Sequence, residues 1–269
     1  MFASSPRLIA FSGLFVVAAS FIPGKARAQD NYEAPRNADV PVAGATRVRI
    51  EAAAGSLRVE GHAGLTSVRV RGIARSESRN RLDDIKLTAE RRGNEIFIKA
   101  DMPDSDESNW RFTRGPQLAL DLVIEVPVNM ALDVDDSSGD ATFLNTGRLR
   151  LDDSSGGVSI RGAHGDVEID DTSGAIDIDG VDGAVRISDG SGEIRVANVT
   201  GDLTVSDDGS GSIGAEGIGG TVRVGNDGSG DIDVDRVAGD FVVDSDGSGG
   251  ISYATVKGRV QIPERKRRG

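Results

Sequence analysis

Seven aspartates, Asp136, Asp153, Asp171, Asp189, Asp208, Asp227 and Asp246, each stand two residues ahead of a Ser-Gly pair. Carboxylates at a steady interval are ligands for hard cations, and calcium takes carboxylate and carbonyl oxygens. Stacked on adjacent strands they would lie about 4.8 Å apart and repel one another unless cations or local hydrogen bonds absorb the charge. The interval is close to twice nine, the length of calcium-binding nonapeptide repeats. That pattern, however, needs Asp two residues after its second glycine, where this chain has Ile176, Ile194 and Ile232. Two readings of the seven aspartates therefore stay open. They are a candidate calcium set, or they accept hydrogen bonds from the turn amides beside them, as in Asx-turns. No other cofactor is expected.

Catalysis has little to stand on. His62 and His164 are the two histidines, far apart in sequence and both on expected turns. The outward charges Asp177, Arg195, Arg150, Glu168 and Arg186 read as cross-strand ion pairs. Sugar recognition would place aromatic rings outward as stacking platforms, yet Phe143, Phe241 and Tyr253 all fall on inward positions. Strings such as Asp227-Gly228-Ser229-Gly230 are not phosphate loops, since no Gly-Lys-Ser/Thr follows and no helix begins there.

The elements that carry these residues follow from the repeat. Ser-Gly recurs at Ser138, Ser155, Ser173, Ser191, Ser210, Ser229 and Ser248, at intervals of 17, 18, 18, 19, 19 and 19 residues. A second glycine keeps step at Gly147, Gly165, Gly183, Gly201, Gly220, Gly239 and Gly258. Two and four residues after each marker come aliphatic pairs such as Ile176/Ile178 and Val185/Ile187, the alternation of a short strand with one buried face. Coils this short close a core only by stacking. The fold class is therefore all-β: a single-chain, right-handed β-solenoid over residues 131–262, with seven coils of 17–19 residues. The lengthening from 17 to 19 comes from a residue added near the corner at Asp207-Asp208, and specific contacts are expected in those longer corners.

Residues 29–130 hold less regular strand candidates at Thr46–Glu51, Ser56–Glu60, Ser67–Gly72, Ile85–Ala89, Glu95–Ala100 and Leu118–Val126. They read as irregular opening coils that cap the solenoid, with a separate β-domain as the alternative. Gly55-Ser56-Leu57-Arg58-Val59 already has the glycine-then-alternation pattern, and the polar stretch 101–116, with Trp110, reads as a flexible excursion. At the other end Pro263 and the basic tail through Arg268 block edge pairing.

Residues 1–28 read as a secretory signal peptide: Arg7, an apolar run from Leu8 to Ile22, then Ala26-Arg27-Ala28 as the cleavage site. No second apolar stretch of spanning length follows, and there is no cysteine. Export to the periplasm or cell surface is expected. Segment 131–262 holds 26 acidic and 9 basic residues, a net of −17, while the tail 263–269 carries +3. Such a field disfavours nucleic acid and favours cationic or basic partners.

Val48-Arg49-Ile50, then Gly55-Ser56-Leu57-Arg58-Val59-Glu60-Gly61, the phrase Ile124-Glu125-Val126-Pro127 and the Ser-Gly coils together resemble the bacterial exported "putative-adhesin" family with the DUF4097-type domain. The likeness covers about residues 45–262. It implies a β-solenoid in the cell envelope and carries over no catalytic residue. The expected function is thus a non-enzymatic envelope scaffold that binds a cell-envelope protein or a cationic partner along its acidic surface. The alternatives are a calcium-stabilised structural solenoid and a polysaccharide-active enzyme.

Overall fold

In a computed structural model, residues 32–103 and 118–263 are described. The signal-peptide region, most of the 101–116 excursion with Trp110, and the basic tail 264–269 lie outside the described residues.

Two eleven-stranded sheets form the two walls of a β-solenoid. The first wall, sheet A, takes β1 (Tyr32–Pro41), β3 (Leu57–His62), β4 (Ser67–Ser76), β7 (Leu118–Pro127), β9 (Ala141–Thr146), β11 (Val158–Ala163), β13 (Ile176–Val181), β15 (Ile194–Val199), β17 (Ile213–Ile218), β19 (Ile232–Val237) and β21 (Ile251–Val256). The second wall, sheet B, takes β2 (Arg47–Glu51), β5 (Lys86–Arg92), β6 (Glu95–Asp101), β8 (Ala131–Asp136), β10 (Leu149–Asp153), β12 (Val167–Asp171), β14 (Val185–Asp189), β16 (Leu203–Asp208), β18 (Val222–Asp227), β20 (Phe241–Asp246) and β22 (Val260–Gln261).

From β8 onward the walls alternate strictly, and each strand lies parallel to its equivalent one coil away. The core is a set of ladders of like residues. Leu149, Val167, Val185, Leu203, Val222 and Phe241 stack on sheet B, and Ala141, Val158, Ile176, Ile194, Ile213 and Ile232 stack on sheet A. All of them are buried.

A further inward ladder, Ala163, Val181, Val199, Ile218 and Val237, escapes a strict period-two reading. The residue before each of its members, including Gly162, Gly180, Asn198, Gly217 and Arg236, has positive φ between 54° and 79°. That single left-handed step shifts the alternation by one and returns the next side chain to the interior. The sequence signal is an aliphatic two residues ahead of the second glycine.

The Ser-Gly corners are glycine for two reasons. Gly192 has φ 156°, and a Cβ there would lie 1.6 Å from the carbonyl oxygen of Gly174 in the coil below. The lengthening of the coils appears where expected: the β14–β16 register shifts between Ile187 and Ser188, and β16 absorbs the extra residue as a bulge.

The opening segment is partly coil and partly something else. β2 and β3 are a regular coil in register with β8 and β9, with Gly55 joining the corner ladder. β7 and β6 stack beyond them in parallel, so chain order and stacking order differ. Past these, β4, β1 and β5 run antiparallel and finish the two walls. β1 is absent from the sequence reading because Pro35 and Pro41 interrupt it; as an edge strand it tolerates both. Arg36 joins this cap to a short 3-10 turn, Arg79–Asp84, donating to the carbonyls of Ile85 (2.9 Å) and Leu82 (2.7 Å).

One of the three inward aromatic positions is not buried. Phe143 and Phe241 are fully buried, but Tyr253 is 48% exposed. It occupies the same ladder as Val234, on the last described strand of sheet A, and its ring meets Phe241 at 5.9 Å.

Candidate functional site

The seven aspartates form one continuous column. Asp136, Asp153, Asp171, Asp189, Asp208, Asp227 and Asp246 pair in register from strand to strand along sheet B. Each is the last residue of its strand, on the side that faces the interior. The first six are 1–6% exposed.

The local reading of these residues as turn acceptors holds where the geometry is cleanest. Backbone amides of Ser155, Ser173 and Ser191 donate to one oxygen of Asp153, Asp171 and Asp189 at 3.2, 2.9 and 3.1 Å. The second oxygen of each of those three is buried without a well-formed hydrogen bond, as are both oxygens of Asp136, Asp208 and Asp227, although the amides of Ser138, Ser210 and Ser229 lie near enough to act on those three.

Burial, and after it the neighbouring carboxylate, pushes Asp136 and Asp208 up to about 7, and Asp153, Asp189 and Asp227 up to about 6. Burial also raises Asp171, against the amides of Ser173 and Thr172. Among the described residues, no three acidic or histidine side chains converge as they would around a metal ion.

A second acidic column lies back to back with this one on the outer face, where Asp135, Asp152 and Asp170 pair in register. Cations compensate it. Arg49 donates to Asp133 at 2.8 Å and to Asp135, and Arg150 reaches Glu168 at 2.7 Å and Asp152 and Asp170 at 3.3 Å. Arg150 and Glu168 thus pair as expected, and Arg186 sits in register beside Glu168.

Asp177 and Arg195 are also neighbours in register, yet they do not pair with each other. Asp177 takes Arg161 from the preceding coil, and Arg195 takes Glu193 from its own.

Beside these pairs the outer face of sheet A is concave. A groove of about 640 Å³ runs over β13 to β21 of sheet A. Its floor is made of small outward residues, Ala197, Gly214, Ser252 and Ala254, and its lining includes five carboxylates against one guanidinium, Arg195. Gly214 has no positive φ, and a Cβ there would meet nothing closer than 3.8 Å. The missing side chain leaves a notch that the fold does not require.

Neighbours pin the carboxylates in place: Arg236 holds Glu216 and, at 3.3 Å, Asp235, while the Ser252 hydroxyl donates to Asp233. Arg161, Arg195 and Arg236 pair with four of the five carboxylates, so the groove keeps a net negative charge along a floor of small residues, suited to an extended cation. The sequence reading placed contacts in the longer corners, whereas this groove opens on strand faces. Strand alternation alone cannot reveal it, because depth depends on which small residues line up between coils.

The two histidines do not meet. His62 lies 3.4 Å from Glu60, and His164 lies 3.3 Å from Asp182.

No family model matches the chain, and no curated protein matches it. Several solved structures are similar to it in chain path. A protein from Bacteroides fragilis described as a "putative adhesin" is 14% identical, with 86% of this chain and 97% of that one covered and a TM-score of 0.42. A "putative lipid binding protein" from Parabacteroides distasonis is 14% identical over the same shares, with a TM-score of 0.45. A "putative cell adhesion protein" from Clostridium sporogenes is 12% identical, covering 87% of this chain and 100% of that one, with a TM-score of 0.30.

Proposed function

We propose that the chain is a non-enzymatic interaction scaffold of the cell envelope, exported by its N-terminal signal, that holds a cationic partner in the groove of sheet A. The observation that carries this reading is the notch at Gly214, ringed by Asp177, Glu193, Glu216, Asp233 and Asp235. Rigid parallel walls preorganise these carboxylates, so a partner does not have to order them on binding. Export is supported by the charge and hydropathy pattern of residues 1–28, and a basic partner by the net −17 of segment 131–262.

The test uses an oligolysine peptide as probe, measured by fluorescence anisotropy at low and moderate salt. The full chain should bind it with an affinity that falls as salt rises. Gly214→Lys, which tethers an ammonium in the notch, should weaken binding about tenfold or more. Gly214→Val should weaken it by filling the notch without added charge. No binding at moderate salt, or binding unchanged in both variants, overturns the reading.

A further inference from the structure

The interior aspartate column is the least expected feature of the molecule. A carboxylate is among the costliest groups to bury, and this solenoid stacks six of them one coil apart with no arginine, lysine or histidine paired to them among the described residues. The charged and hydrogen-bonding groups that act on the column are other aspartates and turn amides, among them those of Ser137, Ser154, Thr172 and Gly190. Along it, each aspartate meets the aspartates of the coils on either side, and Asp227 faces Asp246 closely enough to share a hydrogen. From the corners come amides of the Ser-Gly turns, such as those of Ser155, Ser173 and Ser191. The first inward residues of the sheet A strands that follow the corners, Ala141, Val158, Ile176, Ile194, Ile213 and Ile232, are apolar and buried and bring no charge. From the coil's own strand the preceding inward residue is aliphatic, as Leu151 is before Asp153. The nearby arginines, Arg49 and Arg150, are engaged by Asp133, Asp135, Asp152, Glu168 and Asp170 on the outer face.

A turn amide satisfies at most one oxygen of each carboxyl, which leaves the other facing its equivalents above and below. Between Asp227 and Asp246 the neighbouring carboxyl is close enough to share a hydrogen; along the rest of the column one carboxylate would face another across a single coil, and a proton on one of the two relieves that repulsion.

We infer that the interior column is a proton-sharing array, in which carboxyl O–H groups donate to carboxylate oxygens from coil to coil and the solenoid takes up protons from solvent as it folds. The upward displacement of Asp136, Asp153, Asp189, Asp208 and Asp227 by burial and by one another agrees with this geometry. The consequence is a fold held more tightly in mildly acidic surroundings than in alkaline ones.

Two measurements on the full chain decide the matter. Infrared spectra at about pH 6 should show the C=O stretch of protonated carboxyl groups in the folded protein, and unfolding should abolish it. Thermal midpoints of the double variant Asp189→Asn/Asp208→Asn should rise above wild type at pH 8, because an amide reproduces the neutral carboxyl, and should depend less on pH. Absence of the infrared band overturns the inference, as does a lower midpoint of the variant at pH 8. A wild-type midpoint at pH 8 that rises with millimolar calcium and returns with chelator assigns the column to metal and overturns it too. Should the variant fail to fold, the wild-type infrared band and the calcium titration remain decisive.

Discussion

Asp189 stands directly over Asp171 inside the solenoid, the two paired in register through β14 and β12. Each accepts one turn amide, from Ser191 and Ser173, and each keeps a second oxygen buried with no partner. The same relation repeats along the corner, and it determines how the protein responds to pH.

Stability should fall from acid to alkaline pH. Asp136 and Asp208 are pushed up to about 7, and Asp153, Asp189 and Asp227 to about 6, against a reference of 3.8, so the folded state binds protons that the unfolded state has released. Their contribution is complete below about pH 4 and is lost as pH rises through 6 to 7. Thermal midpoints at pH 5 and pH 8 should differ by about 5–10 °C, the acid sample being the more stable. Equal midpoints would contradict the assignment of protons to the column.

Two glycines should respond in opposite ways to alanine. Gly192→Ala drives a methyl into the Gly174 carbonyl from a left-handed backbone and should cost about 3 kcal/mol or more. Gly214→Ala meets no close atom and should change stability by less than about 0.5 kcal/mol. Urea unfolding midpoints compare the two.

Aromatic truncation should separate the middle of the stack from its last described coil. Phe143→Ala empties a fully buried site and should cost about 3–5 kcal/mol. Tyr253→Ala, at a half-exposed ring, should cost about 1 kcal/mol or less. Similar losses at both sites would mean that another surface covers Tyr253.

Thr255 holds φ 51° with a branched Cβ, at the ladder position where earlier coils use Asn145, Gly162, Gly180, Asn198 and Gly217. Thr255→Asn should stabilise the protein by about 1 kcal/mol, visible as a higher thermal midpoint, because asparagine adopts the left-handed region at less cost. A lower midpoint would show that the threonine earns its place through a contact.

The sequence by itself determined the two walls, the corners and most of the core. Local chemistry suffices for these: glycine pairs at intervals of 17 to 19 and alternating aliphatics admit one stacked arrangement. The residue added near Asp207 was legible too, as a bulge opposite Ser188.

Tertiary structure decided the rest, and in each case the cause is a neighbour distant in the chain. The ladder of Ala163, Val181 and Val199 depends on a left-handed step that breaks alternation. Tyr253, on the last described strand of sheet A, stays half-exposed, and Arg161 rather than Arg195 takes Asp177. The Asp171 and Asp189 turns could be read from the Asp and Ser-Gly spacing, but their isolation from every cation could not. Whether a carboxylate meets an arginine, an amide or another carboxylate is settled only when the coils are stacked.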